Sequence, residues 1–211
     1  MGFLRRSTQT THERLVEHWE TIHAPRVAQY ARPVRYSVTF FEEDAPFDGM
    51  ASLWMRDDDH FRAAFSPEQV AQTNTDGFTE LIDPTQALSL FTAEHVILPG
   101  PGGGPKFVFA GKRRPGASRL EYQRLWLEEH APAAREQLRA SVRRYVVSTT
   151  TGPEAAPYDG CAELWLSSAE DARRFAELAP SAPDDAWGAL NDRANSLYLA
   201  GREVIYVSGD A

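Results

Sequence analysis

One cysteine, Cys161, is all that the 211 residues contain. It excludes an internal disulfide and fits a reducing, cytoplasmic setting. No apolar run approaches the roughly 20 residues that a membrane-spanning helix needs. The opening MGFLRRSTQT carries arginines but not the apolar stretch of a secretion signal. Positive charge is also scarce. Against 30 Asp and Glu stand 22 Lys and Arg, and the net charge of −8 argues against a nucleic-acid surface and against an anionic membrane as partner.

Signatures of bound groups are missing too. HERLVEH is not a His-Glu-x-x-His zinc site, because His12 and His18 lie six apart, on different sides of a helix. No Cys/His cluster has metal-ligand spacing. GPGGGPK lacks the Gly-Lys-Ser/Thr of a phosphate loop, and neither a dinucleotide fingerprint nor a serine nucleophile elbow occurs. The expectation is chemistry without metal or cofactor. Haem stays open, since one histidine on an apolar cavity wall suffices as an axial ligand.

What is present is a repeat. Hydrophobic residues make up 42% and charged residues 25%, an ordinary globular composition. The Pro/Gly linker 99–106 separates a first half, 1–98, from a second, 107–211. Trp19 and His23-Ala24-Pro25 return as Trp126 and His130-Ala131-Pro132, at an offset of 107. Arg35-Tyr36 returns as Arg144-Tyr145 at 109, and the Asp48-Gly49 segment as that of Asp159-Gly160 at 111. Small loop insertions produce such a drift in a duplicated domain.

Each half reads strand, helix, strand, strand, helix, strand. Thr10-Thr11 and Ser118 are the candidate N-caps of the first helices. The order β-α-β-β-α-β is that of ferredoxin-like domains. The expected fold class is α+β: two such repeats fused in one chain, their bare sheet faces laid together as an intramolecular dimeric α+β barrel.

Leu15, Trp19 and His23 share one helix side, as do Tyr122, Trp126 and His130, so both imidazoles are expected to point toward the sheet. Pro25 and Pro132 should break or kink the helix just beyond, leaving each histidine near a helix end. Such an imidazole is a usable general acid or base. Equally, it is a core histidine bonded to a carbonyl. Tyr36 and Tyr145 open the next strand and could return beside the histidines, as oxyanion donors or as packing aromatics. Trp54 and Trp165 belong to the core or to a ligand wall. The Asp-Gly pairs read as hairpin turns, and Cys161 as a small buried residue. Glu163 stands where the first half has Ser52.

KRRPGASRLEYQRLWLEEHAPAAREQL, followed by RRYVVS and YDGCAELWL, resembles the EthD family. The first half resembles it at Trp19, His23-Ala24-Pro25, Arg35-Tyr36 and Asp48-Gly49, and departs from it in RRSTQTT and at Ser52. The resemblance implies the dimeric α+β barrel fold, and relatives that include a methylmuconolactone isomerase and polyketide dehydratases or cyclases. It implies His23 with Tyr36 in one pocket and His130 with Tyr145 in the other, as proton-transfer residues of a cofactor-independent lyase or isomerase. Arg35 or Arg144 would stabilise an enolate, and Trp19, Trp126, Trp54, Trp165 and Glu163 would surround a small hydrophobic, aromatic or polyketide-like ligand. Two other readings remain: a non-catalytic protein holding a hydrophobic ligand, and a haem- or oxygen-dependent relative. Association into a homodimer of the fused barrel is left open.

Overall fold

The computed structural model describes residues 1–209. Two compact units divide it, Met1–Ser89 with the chain from Glu203 onward, and Leu90–Arg202. These units do not follow the repeat boundary at the linker, because the first repeat's closing strand belongs to the second unit and the end of the second repeat's closing strand to the first.

In the first unit, β1 (Gly2–Leu4) leads to α1 (His12–His18), a π-turn at Trp19–His23, and α2 (Ala24–Ala31). The strands β2 (Arg35–Phe41) and β3 (Gly49–Trp54) form an antiparallel hairpin, with Arg35 opposite Trp54 and Phe40 opposite Gly49. Then come α3 (Asp58–Ala64), α4 (Pro67–Thr73), α5 (Phe78–Leu81) and β4 (Leu88–Ser89). Thr11 caps α1 by accepting from the Arg14 N–H, and Asp57 caps α3 by accepting from the His60 N–H at 2.7 Å. Tyr36, Val38 and Phe40 alternate onto the helix side of the sheet, where they bury Leu15 and Trp19.

The second unit contains β5 (Thr92–Leu98), β6 (Gly104–Gly111), α6 (Arg119–Leu125), a π-turn at Trp126–His130, α7 (Ala131–Leu138), β7 (Val142–Thr150), β8 (Gly160–Leu166) and α8 (Ala169–Leu178). The long final strand β9 (Leu197–Val207) begins in this unit. β6 starts at Gly104, inside the segment read as linker, so Pro105 sits at a strand beginning, where its missing N–H is tolerated. β8 lies between β6 and β7, and β5 pairs outside β7. Phe107, Phe109, Trp126, Tyr145, Leu164 and Trp187 share this unit's core.

The repeated Trp and Asp-Gly explain one another. A Cβ on Gly49 would lie 2.7 Å from the Trp19 ring, and one on Gly160 3.0 Å from the Trp126 ring. Only glycine lets each indole lie flat on its hairpin. The preceding aspartates do more than turn the chain. Asp48 is buried and accepts from the Arg6 N–H at 2.7 Å, from the Arg6 guanidinium and from His12 Nδ1. Asp159 accepts from the Arg113 N–H, the Arg113 guanidinium and Arg119 Nε. Each carboxylate ties the start of its repeat to the hairpin.

The helices do not end at the His-Ala-Pro motifs. The Ala24 N–H bonds the Trp19 carbonyl and the Ala131 N–H the Trp126 carbonyl, five residues back in each case. This wider turn absorbs the proline that follows, and the helix continues. The histidines therefore sit at mid-helix bulges rather than at a C-terminal dipole end.

Candidate active site

Both π-turns aim a histidine at an aspartate. His23 Nδ1 lies 3.0 Å from Asp76 Oδ2, and His130 Nδ1 lies 2.7 Å from Asp185 Oδ2. Each aspartate is itself fixed. Asp76 Oδ1 accepts from the Phe78 N–H at 3.1 Å, and Asp185 Oδ1 from the Gly188 N–H at 2.7 Å. An aromatic ring backs each imidazole: Phe78 stacks on His23 with centroids 3.7 Å apart, and Trp187 lies 4.2 Å from His130. With a carboxylate on Nδ1, the hydrogen belongs on Nδ1 and the lone pair on Nε2, the form of a general base.

The surroundings differ. In the second unit α7, α8 and the sheet enclose a cavity of about 730 Å³. His130, Asp185, Tyr145 and Trp126 line it, with Phe107, Phe109, Leu164, Phe175 and Trp187 as apolar wall. Burial pushes the Tyr145 phenol well above its ordinary range, with the Trp126 indole as the polar neighbour that moderates the rise. It stays protonated at neutral pH and is a donor. For Asp185, burial pulls upward, but the Gly188 amide and His130 hold the carboxyl below its ordinary value.

In the first unit His23 is 7% exposed. Burial lowers its pKa, against the pull of Asp76. Arg26 reaches from α2 to the Thr73 and Gln72 carbonyls and so bolts α2 to the end of α4. The position of Arg26 is occupied by Ala133 in the second repeat. Tyr36 is buried beside Trp19 and packs on Tyr206, with centroids 5.3 Å apart.

Strand alternation separates the remaining candidates from the histidines. Tyr145 faces the cavity, so Arg144 faces the opposite side of the sheet, where it lies over Trp165 at 5.2 Å. Glu163 shares that side and forms a buried ion pair with Lys106, whose ammonium also covers Trp165 at 4.2 Å. Arg35 stacks on Trp54 at 4.1 Å. Of the second-repeat candidates, the structure brings His130, Tyr145 and Trp126 together, and leaves Arg144, Trp165 and Glu163 on the other face. Cys161 is buried, its thiol pushed up to about 12 mainly by burial, which removes it as a nucleophile.

Asp76 and Asp185 are the candidate site residues that the sequence does not single out. They stand more than fifty positions from their histidines, in stretches of little regular pattern. A signal was there: Asp76-Gly77-Phe78 returns as Asp185-Ala186-Trp187 at the offset of 109. Among the described residues no cluster of three His, Cys, Asp or Glu could hold a metal, and no helix is long and apolar enough to cross a membrane.

The family model of the EthD domain matches residues 7–85 and 114–182, more than two-thirds of the chain. No curated protein matches it by sequence. Among solved structures the chain is similar to a Lactobacillus acidophilus NCFM protein provisionally named a monooxygenase. The TM-score is 0.55 at 6% identity, over 99% of this chain and 96% of that one. At that identity the likeness shows the fold, an α+β class of two ferredoxin-like repeats of the dimeric α+β barrel type.

Proposed function

Because the chain belongs to the EthD domain family, carrying two copies of the domain, we propose that it is a cofactor-independent lyase or isomerase acting by proton transfer on a small aromatic or polyketide-like substrate. The observation that supports this reading is the His130–Asp185 pair on the wall of the aromatic cavity. His130 Nε2 takes a proton from an acidic carbon, and the electron pair of that C–H bond moves onto the adjoining carbonyl oxygen. Asp185 holds the ring and stabilises the imidazolium that forms, as the aspartate of a catalytic triad does. The protonated Tyr145 phenol donates to the developing enolate oxygen. The imidazolium then returns its proton at another carbon, or to a departing hydroxyl. The aromatic wall keeps bulk water from quenching the enolate. A cytoplasmic setting, suggested by the lone thiol, is part of the same proposal.

The test is deuterium exchange at the acidic carbon of aryl 1,3-dicarbonyl compounds in heavy water, followed by NMR. Exchange well above buffer with the wild type, lost in His130→Gln, is the expected result. Binding without exchange makes the protein a carrier.

The neighbour's name favours a second reading, in which the same enolate is trapped by dioxygen instead of being reprotonated. An oxygen electrode separates the two. A haem-dependent form would hold the group through His130, oriented by Asp185, and the group would supply oxygen chemistry; a Soret band in the isolated protein decides that case.

A further inference from the structure

The second unit carries an arginine that its counterpart lacks. α3 and α8 start from matching caps, Asp57 and Ser168, and counted from these caps Arg174 falls where the first repeat has Ala63. Arg174 lines the cavity and makes no hydrogen bond or ion pair among the described residues. The other charged groups on the wall are engaged. Arg193 donates to the Pro180 carbonyl and to Asp184, Asp171 accepts from Ser168 Oγ at 2.7 Å, and Asp185 holds His130. Even the adjacent Arg173, which does not line the cavity, has Glu170 at 3.8 Å.

A guanidinium offers a planar fork of donors that fits a carboxylate in two parallel bonds. Placed on the rim of an apolar cavity, it selects an anion whose body is buried beyond it. The first unit reverses the arrangement: Arg26 beside its dyad is spent on backbone carbonyls, and the helix position equivalent to Arg174 is an alanine.

We propose that Arg174 is the anion-recognition residue of this cavity, and that the ligand is an aromatic or polyketide-like molecule bearing a carboxylate. This deepens, and rests on, the reading of the cavity as the substrate site. The carboxylate pairs with Arg174, the ring system lies against Phe107 and Phe175, and the reacting carbon is presented to His130.

The probes are 2-naphthoate and its neutral analogue 2-naphthalenemethanol, titrated into the full chain by calorimetry at neutral pH. The wild type should bind the carboxylate roughly tenfold more tightly, the size of one charge-assisted contact at a partly exposed site. Arg174→Gln should erase that preference while leaving the alcohol's affinity unchanged. Arg174→Lys should keep part of it, and Arg173→Gln all of it. A preference that persists in Arg174→Gln, or is missing from the wild type, overturns the assignment while the cavity reading stands. If neither compound binds the wild type at millimolar concentration, both fall. If the preference holds but His130→Gln leaves deuterium exchange untouched, the proton-transfer reading falls and Arg174 keeps its role.

Discussion

In the first unit the carboxylate of Asp76 faces three basic groups, His23 at 3.0 Å, His18 at 3.7 Å and Arg26 at 3.8 Å. In the second, Asp185 faces His130 at 2.7 Å, and Leu125 and Ala133 replace His18 and Arg26. The frame is the same: a π-turn, an indole on glycine, and an aspartate fixed by a backbone amide. What differs is exposure: His23 is buried, whereas His130 is half-buried on the cavity wall. On the proposed function, the duplicated domain keeps one dyad as a buried clasp and uses the other as an accessible base.

The largest effect that would break this comparison is on turnover. Asp185→Asn should slow deuterium exchange by about 10² to 10⁴-fold, because the amide no longer fixes the Nδ1–H tautomer or supports the imidazolium. Asp76→Asn should leave the rate within about twofold on the same argument and lower the melting temperature instead. Equal loss of rate in both variants would mean that both dyads work, or that neither does.

Much of this contrast was legible in the sequence only as symmetry. The offset pairs located both histidines, both tryptophans and both Asp-Gly hairpins, and the caps Thr11 and Ser118 stand where they were read. Four things were not legible. Sequence spacing says nothing about which residue returns from fifty positions away, so Asp76 and Asp185 were missed. The π-turns add a residue to a helical turn, so a continuous helix was read as one ending at proline. Arg144 and Glu163 were grouped with Tyr145 by motif, although neighbouring strand residues point to opposite faces. The exchange of closing strands between repeats was equally hidden, since β5 and the end of β9 read alike in either unit.

The second comparison lies on the opposite sheet face. Glu163 and Lys106 form a fully buried ion pair, whereas the equivalent Ser52 has a buried hydroxyl that finds no acceptor or donor among the described residues. Glu163→Gln takes this carboxylate from the buried Lys106 ammonium and should cost up to about 3–5 kcal/mol in unfolding free energy. Ser52→Ala removes an unmade bond and should change stability by no more than about 0.5 kcal/mol. Urea titrations of the two variants check this. A small loss in Glu163→Gln would mean that the ion pair contributes little to folding.

The smallest expected effect tests the burial of His23 by acid. Burial, the largest influence on His23, holds its folded pKa below the unfolded value of 6.5. Below pH 6.5 the unfolded chain therefore binds a proton that the folded chain refuses, so stability is full above that value and declines as the pH falls toward the folded pKa. The slope is at most about 1.4 kcal/mol per pH unit for one proton. Asp76 and Asp185, both held below 3.8, act in a separate, lower window: their contribution is present above that value and is lost as the pH drops through their folded values. Urea midpoints measured from neutral pH down to the acetate range should fall for the wild type, and fall less for His23→Gln, which has no proton to take up. Parallel curves for wild type and His23→Gln would place the acid sensitivity elsewhere, and would remove the argument that the first dyad is a buried clasp.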